Sequence, residues 1–300
     1  MEHGTTSNRL FVTGATGFVG AVALPTLTAN GFDVTCLVRK PTPARGGWAE
    51  VQGDLCKPDT YHHALTNIDT VLHLAAATGG ATRHEHFRVN ARGTDTLVQS
   101  CIKQGVARIC FVSTIAVTFR DIRRYPYAQS KQQAEETVRS SGLDHVIVRP
   151  TMILGNGAPV FAGLRRLAAL PLVPVFGRGH ARVQPIHVHD VVTGLTTILR
   201  ESLFNGQTVE LGGPETLTIK QLLGRIHEAI RGRPAHFAHI PYSLLTTPLW
   251  WLERIGVNRL PLTAGQLSSF RFDGTASPQE IVRDQSLLSI ASMIEAGLAS

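Results

Sequence analysis

The sequence has little charge, few cysteines and no long apolar run. Asp, Glu, Lys and Arg make up 17% of its 300 residues against 43% hydrophobic ones, which excludes a disordered chain and allows a substantial core. The four cysteines, Cys36, Cys56, Cys101 and Cys110, show neither a pairing pattern nor metal-ligand spacing, so a disulfide scaffold or a metal module is not expected. They read as small buried hydrophobes in a reducing compartment. The residues before Leu10 are polar, without a stretch of signal-peptide type, and no apolar run elsewhere reaches transmembrane length; a cytoplasmic protein is the expectation. Internal repeats, low-complexity segments and Gly/Ser or charged linkers are also missing.

Acid is the scarcer charge: the net charge is +7 and the pI about 9.6, which raises anionic partners. The densest basic groups, Arg120, Arg123 and Arg124, and Arg165 and Arg166, are too short for a nucleic-acid footprint. A small anionic molecule is the expected partner, and nucleic acid is not.

What is present is alternation. Short apolar runs at Arg9–Thr13, Asp33–Val38, Trp48–Gln52, Thr70–Leu74, Arg108–Ser113 and His145–Val148 read as strands. Between them Phe18–Asn30, Pro58–Leu65, Arg83–Gln104 and Tyr127–Ser141 read as helices, with Asn30-Gly31 and Ser141-Gly142 as stops. Six strands in this order predict an α/β fold, a doubly wound parallel sheet of Rossmann type over residues 1–150. Beyond Pro150, prolines and glycines become frequent, and helical pieces at Phe161–Ala169, Asp190–Glu201, Ile219–Arg231 and Tyr242–Ile255 are separated by loops. Residues 151–300 are expected to form a smaller substrate-side region packed on the first.

Thr13-Gly14-Ala15-Thr16-Gly17-Phe18-Val19-Gly20 follows a strand and opens an apolar helix. In that context the glycines let the backbone reverse tightly, so that a pyrophosphate can approach the first helical amides around Gly14, Thr16, Gly17, Phe18 and Val19. A dinucleotide site is therefore predicted. A site for NAD(H) would usually carry a carboxylate at the end of the second strand; here Val38 is followed by Arg39 and Lys40, cations suited to a 2′-phosphate, so NADP(H) is the expected cofactor. Tyr127 and Lys131 stand four residues apart in a helix opened by Pro126, so their side chains share a face. An ammonium beside a phenol favours the phenolate, making a proton-transfer pair.

In order and spacing, the glycine turn, Gly53-Asp54-Leu55, His73-Leu74-Ala75-Ala76, Asn90-Ala91-Arg92-Gly93-Thr94, Ser113-Thr114, Tyr127-Ala128-Gln129-Ser130-Lys131 and Arg149-Pro150 resemble the extended and atypical short-chain dehydrogenase/reductase superfamily, which includes NAD-dependent epimerase/dehydratase-like proteins. The resemblance implies that Asp54 and Leu55 lie beside the adenine, that Ala75 and Ala76 line the path of the pyrophosphate and nicotinamide ribose, and that Asn90 braces the active-site backbone. It further implies that Lys131 binds the nicotinamide ribose and that a strand-end hydroxyl, Thr114 with Ser113 as alternative, holds the substrate oxygen. The expected activity is an NADP-dependent reductase or dehydrogenase of a small carbonyl or alcohol. The alternatives are a sugar-nucleotide epimerase or dehydratase and a non-catalytic dinucleotide-binding protein, whose relatives often lack the Tyr/Lys pair.

Ile186-His187-Val188-His189-Asp190 and Leu211-Gly212-Gly213-Pro214-Glu215 are similar to further loops of that superfamily, with His189 where an aspartate is common. His187 and His189 read as a strand edge rather than metal ligands, and His189 would alter the charge near the substrate mouth. Leu244–Gly256, with Trp250 and Trp251, reads as core or lid rather than a membrane anchor, for want of a basic polar face. The resemblance suggests a homodimer built on the helices at 83–104 and 127–141.

Overall fold

The structure, a computed structural model, describes residues 8–41, 46–242, 270–277 and 286–299. The expected helix bearing Trp250 and Trp251 lies outside them.

The six expected strands are β1 (Arg9–Thr13), β2 (Asp33–Val38), β3 (Ala49–Gln52), β4 (Thr70–His73), β5 (Arg108–Val112) and β6 (Asp144–Pro150). They lie in the order β3-β2-β1-β4-β5-β6, each pair parallel, as in a doubly wound nucleotide-binding sheet. Alternation along the strands sorts their side chains to two cores. Leu10, Val12, Cys36, Leu72, Cys110 and Val146 face one side, while Phe11, Leu37, Val71, Ile109, Phe111 and Ile147 face the other.

Helix α1 (Phe18–Ala29) covers the first side. The second is covered by α3 (Gly93–Gln104) and α4 (Pro126–Arg139) through Leu97, Val98, Cys101, Ala134 and Val138. The expected Arg83–Gln104 helix is a composite: a four-residue α2 (Arg83–His86) runs through a π-helical stretch, Phe87–Arg92, into α3. Pro58–Leu65 is not an α-helix but two 3₁₀ turns, Pro58–Thr60 and His62–Leu65.

The sheet does not end at Pro150. After β7 (Ile153–Leu154), α5 (Pro159–Ala168), β8 (Leu172–Phe176), β9 (Arg182–Val183) and β10 (Ile186–His187), helix α6 (Val188–Arg200) packs beside α1 through Val191, Val192, Leu195 and Ile198. Strand β11 (Thr208–Leu211) then joins the sheet as its seventh strand, parallel to β6. A separate apolar cluster holds the rest together: α5, β8, β12 (Leu217–Thr218), α7 (Ile219–Arg231), β13 (His236–Ile240) and α8 (Ile290–Leu298) pack around Phe161, Val173, Leu222, Ile226 and Met293. Phe18, in the first turn of α1, and Met152 border this cluster, so the glycine turn sits at the seam between the two bodies of core.

Candidate active site

Gly14 has a positive φ of 76°, and a Cβ there would lie 2.5 Å from the Ala75 amide nitrogen. Both the left-handed backbone and the close approach of the chain leaving β4 require glycine. A Cβ on Gly20 would fall 2.3 Å from the Gly14 carbonyl oxygen, so the third glycine lets α1 begin hard against the turn. Gly17 is the N-cap of α1; no side chain caps that end, and its first turn has no acidic residue. Thr16 and Gly17 are exposed beside this uncapped end, with Phe18 and Val19 half-buried behind it. A cradle of backbone amides that admits no Cβ, at a helix N-terminus without its own anion, fits a pyrophosphate.

The flanking residues fall into two groups. Arg39 and Lys40 are exposed at the end of β2, where the Arg39 carbonyl accepts a 3.5 Å bond from Gln52 Nε2. Asp54 and Leu55 follow β3: the Asp54 carboxylate accepts from the Cys56 amide at 2.9 Å, and Leu55 is buried against Gly93. Ala75 and Ala76 continue β4 and are half-buried.

Beneath the turn runs a chain of buried neutral groups. Thr13 Oγ1 and Thr94 Oγ1 bracket the His73 ring at 2.6 and 2.9 Å, and Thr94 donates to the Asn90 carbonyl at 2.6 Å. The Asn90 amide clamps Ala77, accepting from its nitrogen at 2.7 Å and donating to its oxygen at 3.1 Å. It also donates to Ser130 Oγ at 3.0 Å, and Ser130 donates to the Tyr127 carbonyl at 2.8 Å. Asn90 thus ties the chain after β4 to the helix bearing Tyr127. Its place in the π-helical stretch, where one extra residue widens the turn, aims its side chain inward. Burial, helped by the charge on Lys131, drives the His73 pKa down to about 3, so the ring is neutral and purely a connector.

Thr114 caps the 3₁₀ turn after β5, accepting from the Ala116 amide at 3.3 Å, and its hydroxyl meets the Tyr127 phenol. Ser113, the alternative hydroxyl, is buried beside it. Lys131 is buried on the face of α4 that bears Tyr127; its ammonium donates to the Val112 carbonyl at 2.6 Å and sits 4.0 Å from the centre of the Phe111 ring. The expected lowering of the phenol by Lys131 is not what this arrangement produces. Burial pushes Tyr127 up to about 12, opposed by the Thr114 hydrogen bond, while burial pulls Lys131 down to about 7 against the opposing field of Glu135. Burial is the largest cause of both shifts.

Several participants carry no motif. The His86 ring lies 5.8 Å from Tyr127 and bonds the Ala77 carbonyl at 3.1 Å through Nδ1. Tyr125, Phe119 and Phe272 continue an aromatic row, with centroids 5.9, 6.4 and 5.9 Å apart from Tyr127 onward. Glu135, 1% exposed, takes two bonds from Arg149 (2.9 and 2.6 Å) and one from Arg139 (2.9 Å); Arg149 also lies 3.7 Å from Glu210 on β11. Only the apolar periodicity of α4 could have marked Glu135, as a charge on its buried face.

His187 ends β10 and caps α6, its Nδ1 accepting from the His189 amide at 3.2 Å, with the His189 ring stacked 5.1 Å away. His189 is in the first helical turn rather than on a strand. Among the described residues no group of three or more His, Cys, Asp or Glu is placed to hold a metal, and no helix is long and apolar enough to cross a membrane.

Residues 10–212 match the family model described as the NAD dependent epimerase/dehydratase family. The chain is 32% identical over 195 residues to a ceramide reductase of Caulobacter vibrioides, a match spanning 63% of this chain and 60% of that protein's length. It is 25% identical over 252 residues to a 2-alkyl-3-oxoalkanoate reductase of Stenotrophomonas maltophilia, covering 74% and 76% of the two chains. In fold it is similar to MoeE5, solved in complex with UDP-glucuronic acid and NAD, with a TM-score of 0.73 at 22% identity over 97% of this chain and 98% of the other. On the family match, the glycine turn and the sheet order, this chain belongs to the NAD dependent epimerase/dehydratase family.

Proposed function

We propose that the protein is an NADP(H)-dependent reductase or dehydrogenase of an apolar carbonyl or alcohol substrate. The observation that carries the reading is the meeting of the Thr114 hydroxyl and the Tyr127 phenol, with Lys131 on the same helix face. Gly14, Thr16, Gly17, Phe18 and Val19 would hold the pyrophosphate, Asp54 and Leu55 the adenine end, and Ala75 and Ala76 the path toward the nicotinamide. The dinucleotide, when bound, supplies or accepts the hydride. Tyr127 gives its phenolic proton to the substrate oxygen in reduction and takes it back in oxidation, Thr114 holds that oxygen by a hydrogen bond, and Lys131 binds the ribose.

Preference for the 2′-phosphate rests on Arg39 and Lys40 at the end of β2, both exposed. Apolarity of the substrate is supported by the row His86, Tyr127, Tyr125, Phe119 and Phe272. It agrees with the substrates named for the two reductases above. A sugar-nucleotide epimerase or dehydratase is the second reading, favoured by the family to which the chain belongs. A purely structural dinucleotide binder is disfavoured by the presence of both Tyr127 and Lys131.

The test combines thermal-shift binding of NADPH and NADH with turnover on long-chain 3-oxoacyl esters, aliphatic ketones and UDP-sugars. Larger stabilisation by NADPH, turnover of the apolar ketones, and a loss of roughly 10²- to 10⁴-fold in Tyr127→Phe with NADPH binding retained are the expected results. Turnover of UDP-sugars alone would replace this reading with the epimerase one. Full activity in Tyr127→Phe would remove the mechanism.

A further inference from the structure

At the end of the second core away from the glycine turn, the C-termini of α5 and α7 meet the first residues of β8 and β13. Arg231 Nη2 donates to the Ala169 carbonyl at 2.5 Å, His227 Nδ1 bonds the Ala168 carbonyl at 2.7 Å, and Leu172 is the register partner of His236. The chain between α5 and β8 is the tip of this end. It exposes two large apolar side chains, Leu170 at 45% and Leu172 at 55%, although the core beside them has Val173, Ile226 and Ala168 fully enclosed.

Around the two leucines stand Arg165 and Arg166 from α5, Arg231 from α7 and Arg233 just beyond it, all exposed. Among the described residues none of the four forms an ion pair. No Asp or Glu occurs from His145 to His189 or in β13; the one carboxylate of α7 is Glu228, a turn before Arg231. Basic residues in a last helical turn complement the helix dipole, which accounts for Arg165, Arg166 and Arg231. It accounts neither for Arg233 nor for leucines held in water between the cations.

We propose that this tip is a docking surface for an anionic lipid bilayer, with Leu170 and Leu172 entering the headgroup boundary and the four arginines engaging lipid phosphates. Cations ringing a small apolar point match the two terms that hold a peripheral protein to such a surface. The expectation against a membrane anchor was drawn from the segment at 244–256 and does not bear on this end. Helix α5 begins near Gly155, whose surroundings include Phe18 and His187, so its ten residues set the tip about 15 Å from the seam. Docking there leaves the dinucleotide turn open to solvent, and it holds whatever substrate the site takes.

Co-sedimentation with phosphatidylcholine vesicles, with and without phosphatidylglycerol, tests the proposal on the full chain. Binding only to the anionic vesicles, weakened by salt, is expected. Arg165→Gln/Arg166→Gln should weaken it by about fivefold per arginine. Leu170→Ser/Leu172→Ser should also weaken it at unchanged thermal stability. Three results would overturn the proposal: no binding to anionic vesicles, binding indifferent to the leucine pair, or equal salt-sensitive binding to duplex DNA by the wild type and the leucine variant. A dimer that the leucine variant abolishes, without vesicle binding, would assign the surface to a second copy instead. The arginine pair keeps the test decisive should the leucine variant fold poorly.

Discussion

Two polar clusters flank Lys131, one wholly buried and one buried only at Glu135, and they are built from opposite materials. On the side of β1 and β4, Thr13, His73, Thr94, Asn90 and Ser130 form a neutral chain in which each side chain meets a partner. On the side of β6 and β11, Glu135, Arg149, Arg139 and Glu210 form an ionic one. The natural guess is that the ionic cluster is the one sensitive to pH. The opposite holds in mild acid, because a neutral histidine in the interior is a proton acceptor that folding has suppressed. Charge already paired is harder to titrate than charge that has been forbidden.

The largest expected effect comes from breaking the ionic side. Glu135→Ala leaves the Arg149 guanidinium without its two carboxylate bonds and should lower unfolding stability by about 3–5 kcal/mol, read from urea melts. Burial works to raise the Glu135 carboxyl, but Arg149 above all, with Ser113 and Arg139, holds it below its ordinary pKa of 4.5, so its share of stability is present above that value and is lost as pH falls through the lower folded one.

Lys131 between the clusters should behave in the other sense. Its pKa falls from 10.5 to about 7, so burying the charged form costs stability in full below pH 7, and the cost fades as pH rises toward 10.5. Lys131→Met should therefore melt higher near neutral pH, by on the order of 2 kcal/mol, while turnover is lost. A variant that melts lower would show that the Val112 hydrogen bond outweighs desolvation.

His73 gives an effect of similar or smaller size. Its folded pKa of about 3 lies below the ordinary 6.5, so the unfolded chain takes up a proton that the native one refuses, and stability falls as pH drops from 6.5 toward 3. Between pH 6.5 and 5 the loss should be about 2 kcal/mol, and in His73→Leu that slope should vanish. If the slope persists in the variant, the neutral cluster is not its source. The smallest effect belongs to Ser130→Ala, about 1 kcal/mol, since Asn90 keeps both bonds to Ala77.

These clusters also show where reading the sequence stops. The strands, the glycine turn and the shared helix face of Tyr127 and Lys131 were legible because each depends on local chemistry: alternation, a Cβ-free turn, a helix period; Thr114 came only from the family resemblance. His73 sits inside a recognised segment, yet its partners Thr13 and Thr94 are 60 and 21 residues away, and nothing in a strand's alternation says which polar side chain on a buried face finds another. Glu135 was hidden for the same reason. The π-helical stretch escaped because its residues have the apolar spacing of an ordinary helix. The 3₁₀ turns at 58–65 were misread because two short turns and one amphipathic helix share a pattern over eight residues. The pairing of Tyr127 and Lys131 was visible, but their mutual tuning was not, since desolvation depends on what the rest of the chain places over them.

Strand β11 sets a practical limit on dissecting this protein. A fragment ending at Pro150 contains every recognisable nucleotide-binding segment, yet it would leave the backbone of β6 as an open edge and uncover the flank of α1 that Val191, Leu195 and Ile198 now shield. Such a fragment should associate edge to edge rather than stay dispersed, and its dinucleotide affinity would report on aggregates. The part of the chain that looks most independent is the part least able to stand alone.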